Sequence, residues 1–429
     1  SIFIEIIKSR YSLAPGEESI FKIVISIIGY GIVSIEIVYL LIVIFKLFSE
    51  GVKYNPIALI EFSPTISELI ALLIVVMFII IFISIPVNFV RLLDIFRDKL
   101  EKEVINYGKM KKILLIGTGG TIAGKGSEGK SSNYCAGTLS VKDIISAVKG
   151  LDKVAHFDFV QACNIDSCNM TKEIVYNIAY LIEETKKDYD GFVITHGTDT
   201  MEETAFLLNL TLKTEKPIVL TGSMRPATAT SPDGPMNLYE ASVLAASDKA
   251  YGKGVLISFA EVISSARDVQ KVSTFRTNAF NQRDLGVLGY VYDNRVEFFN
   301  APIKPHTIST EFNKEDIKRI PDIPIVTFGS DIDTKLLEYA ISNYRGVVVA
   351  GAGNGGYNDD WVDTIATTKI PIIRCSRIAN GIISYDSRMD RNYNIICGSF
   401  PPQKSRLLLQ LALSHSDDTS YIKDVFSKY

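Results

Sequence analysis

An apolar run of strand length that ends on glycine, threonine or other polar residues recurs along this chain: KILLIGTGG, HFDFVQACNI, GFVITHGTDT, PIVLTGSMRP and KGVLISFAEV. Between these runs lie helix-like stretches such as TKEIVYNIAYLIEETKK and MNLYEASVLAASDKA. Strand and helix alternating in this way predict a mainly parallel sheet with crossover helices, whose loops beyond the carboxyl ends of the strands build the functional site. A second, smaller series follows with PIVTFGS, RGVVVAGAGNGG and PIIRCSR, and PQKSRLLLQLALS reads as the last helix. The fold expected is therefore α/β, in two domains.

The first hundred residues read differently. Residues 23–45 carry Glu36 as their only charge, and residues 69–90 carry none. Each run exceeds the roughly 20 residues that cross a hydrocarbon core, so both read as transmembrane helices forming a hairpin. They also carry much of the apolar excess behind a mean hydropathy of +0.20. Lys8, Arg10 and Lys22 precede the first run, and Arg91, Arg97, Lys99 and Lys102 follow the second. By the positive-inside tendency both ends face the cytoplasm, which predicts a multi-pass protein of the cytoplasmic membrane with its α/β part inside. The division expected is a hairpin and charged linker over 1–109, a larger α/β domain over 110–300, a linker over 301–322 and a smaller α/β domain over 323–429.

Charge and cysteine narrow the chemistry. Lys and Arg number 45 against 48 Asp and Glu, so no basic excess argues for nucleic acid as a partner. Cys135, Cys163, Cys168, Cys375 and Cys397 show neither a C-x-x-C pair nor zinc-like spacing, and free thiols are expected.

Three segments carry candidate chemistry. GTGGTIAG over 117–124 follows a strand directly, as a dinucleotide-type glycine turn would, but no acidic residue ends a second strand about 20 residues later. Its glycines let a ligand approach, and Thr118 and Thr121 bring hydroxyls to the strand end. THGTDTMEE over 195–203 ends another strand; there Thr198 or Asp199 reads either as a helix cap, with Glu202 or Glu203 completing a capping box, or as a reactive group. RDVQK supplies Lys271. A hydroxyl nucleophile needs a proton acceptor within reach, and no G-x-S-x-G elbow is present.

Taken with SSNY at 131–134, NIDSCNM at 164–170, TGSMRP, DGPMNL and PQKSRLLLQLAL, these motifs resemble the bacterial L-asparaginases in order and spacing, from about residue 111 to 429. The resemblance implies hydrolysis of L-asparagine to L-aspartate and ammonia through a threonine-linked acyl-enzyme, with no metal and no organic cofactor. Thr121 matches the family's nucleophile, Tyr134 the lid residue that orients it, and Thr198, Asp199 and Lys271 the second catalytic set. Ser167 matches the serine that holds the substrate carboxylate, while Asp199 would pair with the ammonium. Asn354 matches a residue at the subunit junction of a homotetramer. Two positions depart from the family. Cys168 stands where many relatives carry a substrate-touching glutamine, and Arg388 stands about where relatives offer a glutamate from the neighbouring subunit, a role that Asp386 could take over. Glutaminase or related amidase activity is the alternative, and an inactive amino-acid sensor coupled to the hairpin is a more distant one.

Overall fold

Each alternating apolar run becomes a strand, and burial explains its composition. The computed structural model describes residues 110–127, 130, 134–135, 137–391 and 394–429. In chain order come β1 (Lys112–Gly119), a two-residue pair β2 (Lys125–Gly126) and β3 (Tyr134–Cys135), then β4 (His156–Ile165), β5 (Gly191–Thr195), β6 (Ile218–Thr221), β7 (Val255–Phe259) and β8 (Val262–Ser265). A short hairpin of β9 (Gln270–Lys271) and β10 (Phe280–Asn281) precedes β11 (Gly289–Tyr292) and β12 (Arg295–Phe298). Eight of these strands form one sheet in the order β12-β11-β8-β7-β6-β5-β1-β4. From β4 to β7 the neighbours run parallel. β5, β6 and β7 are buried at every residue, which is why they read as unbroken apolar runs rather than alternating ones.

Helices α1 (Val141–Ser146), α2 (Lys172–Thr185), α3 (Met201–Thr211) and α4 (Gly234–Ala246) belong to this sheet. α2 starts where the Thr171 hydroxyl accepts from Ile174 N, and it buries Val175, Ile178, Ala179 and Ile182, one stripe at helical spacing. α3 is buried at all but one of its positions, because it is covered on more than one side. After α5 (Lys314–Arg319), a second sheet is built from β13 (Ile325–Thr327), α6 (Lys335–Asn343), β14 (Val347–Gly351), α7 (Asp359–Ala366), β15 (Ile372–Ser376) and β16 (Asn394–Ile396). Its four strands lie in sequence order and run parallel. α8 (Pro402–His415) then packs against both α3 and the second sheet. One apolar cluster accordingly runs from Leu114, Ile194 and Phe206 through Leu408 and Leu411 to Val348 and Ile373.

The expectation of mainly parallel α/β architecture is met, with differences. β8, β11 and β12 form an antiparallel edge. α8 is not the last helix, since α9 (Thr419–Lys428) follows and buries Ile422, Val425 and Phe426. The two apolar runs read as a membrane hairpin, with Glu36, lie outside the described residues. The cytoplasmic-membrane placement is corrected: among the described residues no helix is long and apolar enough to cross a membrane.

A buried ion pair ties the second sheet together. Arg374 on β15 is wholly buried; its Nε and Nη2 donate to the two carboxylate oxygens of Asp390 at 2.7 and 2.6 Å, and its remaining N–H groups reach the carbonyls of Asn354 and Ser384. Asp390→Ala leaves that cation without its counter-charge, so urea unfolding should register a loss of about 3–5 kcal/mol. A loss below about 1 kcal/mol would mean that water reaches the guanidinium.

Candidate active site

β1 ends on Gly119, and Gly120 follows it, with φ of 100° and 78°. A Cβ at Gly119 would stand 2.5 Å from the backbone N and O of Ile165, and one at Gly120 would stand 2.4 Å from Gly197 N and Cα. Only glycine permits this approach, and through it the loops after β1, β4 and β5 meet backbone to backbone. Gly120 N donates to Ile165 O at 2.9 Å. Thr121 comes next, buried, at the start of a single 3-10 turn. Thr118 turns the other way: its hydroxyl donates to Thr195 O at 2.9 Å and serves the scaffold. The chain beyond the turn comes back to it, because Gly137 N donates to Gly120 O and Thr138 and Leu139 N donate to Ala123 O. Tyr134 lies on that returning arm, in β3, opposite Gly126.

After β4, Ser167 opens a 3-10 turn capped by the Asp166 carboxylate. Ser167 is buried against Gly197, where a Cβ would come within 2.7 Å of Ser167 Cβ and Oγ. After β5 come Thr198 and Asp199, immediately before α3. The capping-box alternative does not hold here. Thr200 is the N-cap residue, but its hydroxyl donates to Ser167 O at 2.8 Å instead of capping, and the Glu202 carboxylate accepts from the backbone N of Lys271. With no side-chain cap on it, the start of α3 presents the positive end of the helix beside Thr198 and Asp199.

Lys271 reaches this group from β9. Its Nζ donates to Thr198 Oγ1 at 2.8 Å and to Asp199 Oδ1 at 2.6 Å. The lysine side chain is 17% exposed and the aspartate 55%, so the pair faces solvent on the carboxylate side. Cys168 contributes its thiol, which donates to Asp199 Oδ2 at 3.7 Å. Desolvation, followed by the Asp166 and Asp199 carboxylates, raises the Cys168 pKa, which keeps the thiol a neutral donor at ordinary pH. Ser167, Cys168, Thr198, Asp199 and Lys271 therefore share one cluster beside the Thr121 turn. Asn354 and Asp386 form a different one. Asn354 exchanges hydrogen bonds with Ser384, and Asp386 accepts from Arg388 N at 2.9 Å. Arg388 extends to Asp359 at 3.0 Å. Among the described residues no hydrogen bond or ion pair joins Asn354 or Asp386 to Ser167, Thr198, Asp199 or Lys271.

Two buried groups beside the cluster escape sequence reasoning: Glu202, read there only as half of a capping box, and His196. The His196 ring is wholly buried, with Nδ1 2.7 Å from Gly197 O, which requires the proton on that nitrogen. A histidine among the apolar strand ends was the available signal.

With the geometry in place, comparison with known proteins adds independent findings. Residues 112–304 match the family model "Asparaginase, N-terminal", and residues 322–426 match "Glutaminase/Asparaginase C-terminal domain". The chain is 40% identical over 332 residues to a probable periplasmic L-asparaginase of Haemophilus influenzae, covering 76% of this chain and 95% of that protein. It is 36% identical over 338 residues to the glutaminase-asparaginase of Pseudomonas fluorescens biotype A, covering 76% and 93% respectively. The crystal structure of a probable cytoplasmic L-asparaginase from Campylobacter jejuni matches with a TM-score of 0.71 at 37% identity, over 74% of this chain and all of that one. The Haemophilus relative is named as periplasmic and the Campylobacter one as cytoplasmic.

Burial lowers His196 from the ordinary 6.5 to about 4. The unfolded chain thus takes up a proton that the folded one refuses, and the stability involved is complete above pH 6.5 and lost as pH falls toward 4. The difference amounts to about 3 kcal/mol at 1.36 kcal/mol per pH unit. Urea midpoints at pH 7 and pH 4.5 should differ by less in His196→Gln than in the parent chain. An equal difference in both would assign the acid sensitivity to other groups.

Proposed function

The chain belongs to the asparaginase family, and on that footing we propose that it hydrolyses L-asparagine to L-aspartate and ammonia through an acyl-enzyme on Thr121. The observation that carries this reading is the hydrogen-bonded row from Asp199 through Lys271 to Thr198, set on a loop that touches the Thr121 turn. Thr121 Oγ attacks the side-chain amide carbon of the substrate, an O–C bond forms, and the C–N bond breaks as the departing nitrogen takes up a proton. Water then displaces the threonine from the acyl group and restores its hydroxyl.

The row can move those protons. With Lys271 charged, Nζ donates to both Thr198 and Asp199. With Lys271 neutral, its lone pair takes the Thr198 proton, and Thr198 takes one from the attacking group. The positive start of α3 favours the oxyanion that develops on the amide oxygen, a contribution of about 3 kcal/mol where one such donor has been removed in other enzymes. Ser167 holds the α-carboxylate and Asp199 the α-ammonium. Cys168 supports Asp199 with a thiol, where a glutamine would have brought an amide donor to the substrate. Asn354 and Asp386, apart from the Lys271 cluster of their own chain, complete the site of a neighbouring copy in a homotetramer. Tyr134, on the arm that returns to the Thr121 turn, closes over the substrate.

Ammonia release from asparagine and from glutamine tests this reading. Thr121→Ala should retain below about 1% of kcat, because the bonding atom is gone. Lys271→Met should lower kcat by about 10²–10⁴-fold. Undiminished turnover in either variant would assign its role elsewhere, and a larger kcat/KM for glutamine would make the protein a glutaminase. Asp386→Ala should raise KM for asparagine severalfold while sedimentation still reports a tetramer; an unchanged KM would remove Asp386 from the site.

A further inference from the structure

One lysine of the interior has no part in the reaction above. Lys404 stands in the first turn of α8 and is wholly buried. Its Nζ donates to Ala266 O at 2.8 Å, to Arg267 O at 3.0 Å and to Val269 O, which uses all three ammonium protons. Those carbonyls lie between β8 and β9, and the last of them is two residues before Lys271. The buried carboxylate of Glu202 in turn accepts the backbone N–H of Lys271. A cation thus gathers the carbonyls leading into β9 while an anion fixes the N–H within it.

The two buried charges also attract each other through the interior. Burial lowers Lys404 to about 8, with Glu202 and Asp268 acting against that shift. Burial raises Glu202, with Lys404 and the Lys271 N–H acting against it. An apolar side chain of similar volume would fill the space but leave three carbonyls without a donor.

We propose that Lys404 is a positioning residue for Lys271: by gathering the carbonyls of Ala266, Arg267 and Val269 it sets the course of β9, and with it the point where the Lys271 ammonium meets Thr198 and Asp199. The second sheet's helix thereby controls the geometry of the cluster on the first. This proposal rests on the catalytic reading of Lys271. Misplacement of a reacting group by about 1 Å can cost on the order of 10²-fold in rate, while groups that bind substrate from the β4 and β5 loops stay where they are.

A double-mutant cycle on the full chain tests it, with kcat and KM for asparagine measured for Lys404→Met, Lys271→Met and the pair, and with folding checked by circular dichroism. Lys404→Met should lower kcat by about tenfold or more and change KM by less than about threefold. In the Lys271→Met background the same substitution should cost almost nothing further, because a residue that acts through Lys271 has nothing left to position. If Lys404→Met does not fold, the cycle is run with Lys404→Arg, which keeps a buried cation. A folded variant with unchanged kcat, or losses that add fully in the pair, would overturn the positioning role alone. An unchanged kcat in Lys271→Met by itself would bring down the catalytic reading, and the proposal with it.

Discussion

The whole site depends on a contact in which no side chain takes part. Gly120 and Gly197 come so near that a single methyl group could not be inserted between the loops after β1 and β5. Gly119 makes the same kind of approach to Ile165 at the end of β4. Three parallel strands that end side by side deliver their loops to one edge, but only missing Cβ atoms let those loops touch. Thr121, Ser167 and Thr198 are each one or two residues from such a contact. Their relative positions are therefore fixed by covalent geometry and close packing rather than by long, mobile side chains. A hydroxyl that must meet a carbon atom at bonding distance needs this kind of placement.

Lys271 arrives differently, on a two-residue strand that, among the described residues, pairs with β10 alone. So short a hairpin is marginal by itself. Its support comes from charges in the interior: Lys404 beneath the carbonyls and Glu202 beneath the N–H. The same device recurs at the second sheet, where Arg374 holds the Asn354 and Ser384 carbonyls while pairing with Asp390. In both places a buried cation satisfies the carbonyls of an irregular segment that sheet pairing leaves open. Such charges are costly to desolvate, and hydrophobic replacements often stabilise a fold more. What they supply is a defined path for backbone that has no strand neighbour.

How much of this was legible in the sequence follows from the range of each interaction. The central parallel strands could be read because burial on both faces leaves unbroken apolar runs, and the Thr121 and Thr198 loops because they follow those runs directly, whereas Ser167 follows the largely exposed edge strand β4. The antiparallel edge was less legible: Tyr290 and Tyr292 of β11 are exposed, and its pairing with β8 joins residues far apart in sequence. α9 carried a helical pattern in Ile422, Val425 and Phe426, but a mostly polar segment masked it. Glu202 misled because a local rule offered a complete account. Its true partner is 69 positions away, and a long-range hydrogen bond replaced the local cap. Lys404 lay in a quoted motif with nothing to mark its ammonium as buried, since its partners belong to a segment some 135 residues earlier.

The position of Arg388 changes the meaning of the departure read there. An arginine in place of a carboxylate suggested a positive charge set against the substrate ammonium. In the structure the guanidinium turns to Asp359, and Asp386 turns back to accept from the Arg388 backbone. Both members of the Arg388–Asp359 pair are largely exposed, so their attraction contributes little to stability, yet it offsets the arginine's field at short range. Seen from a distance of several ångströms, the segment 386–388 together with Asp359 carries two carboxylates against one guanidinium. Arg391 brings a second guanidinium to the same segment, its Nε donating to Ser387 O at 2.9 Å, so these groups stand near charge balance rather than strongly positive despite the substitution. An ammonium group is drawn to the summed potential, so in the proposed tetramer the local charge balance would matter more to substrate affinity than the identity of residue 388.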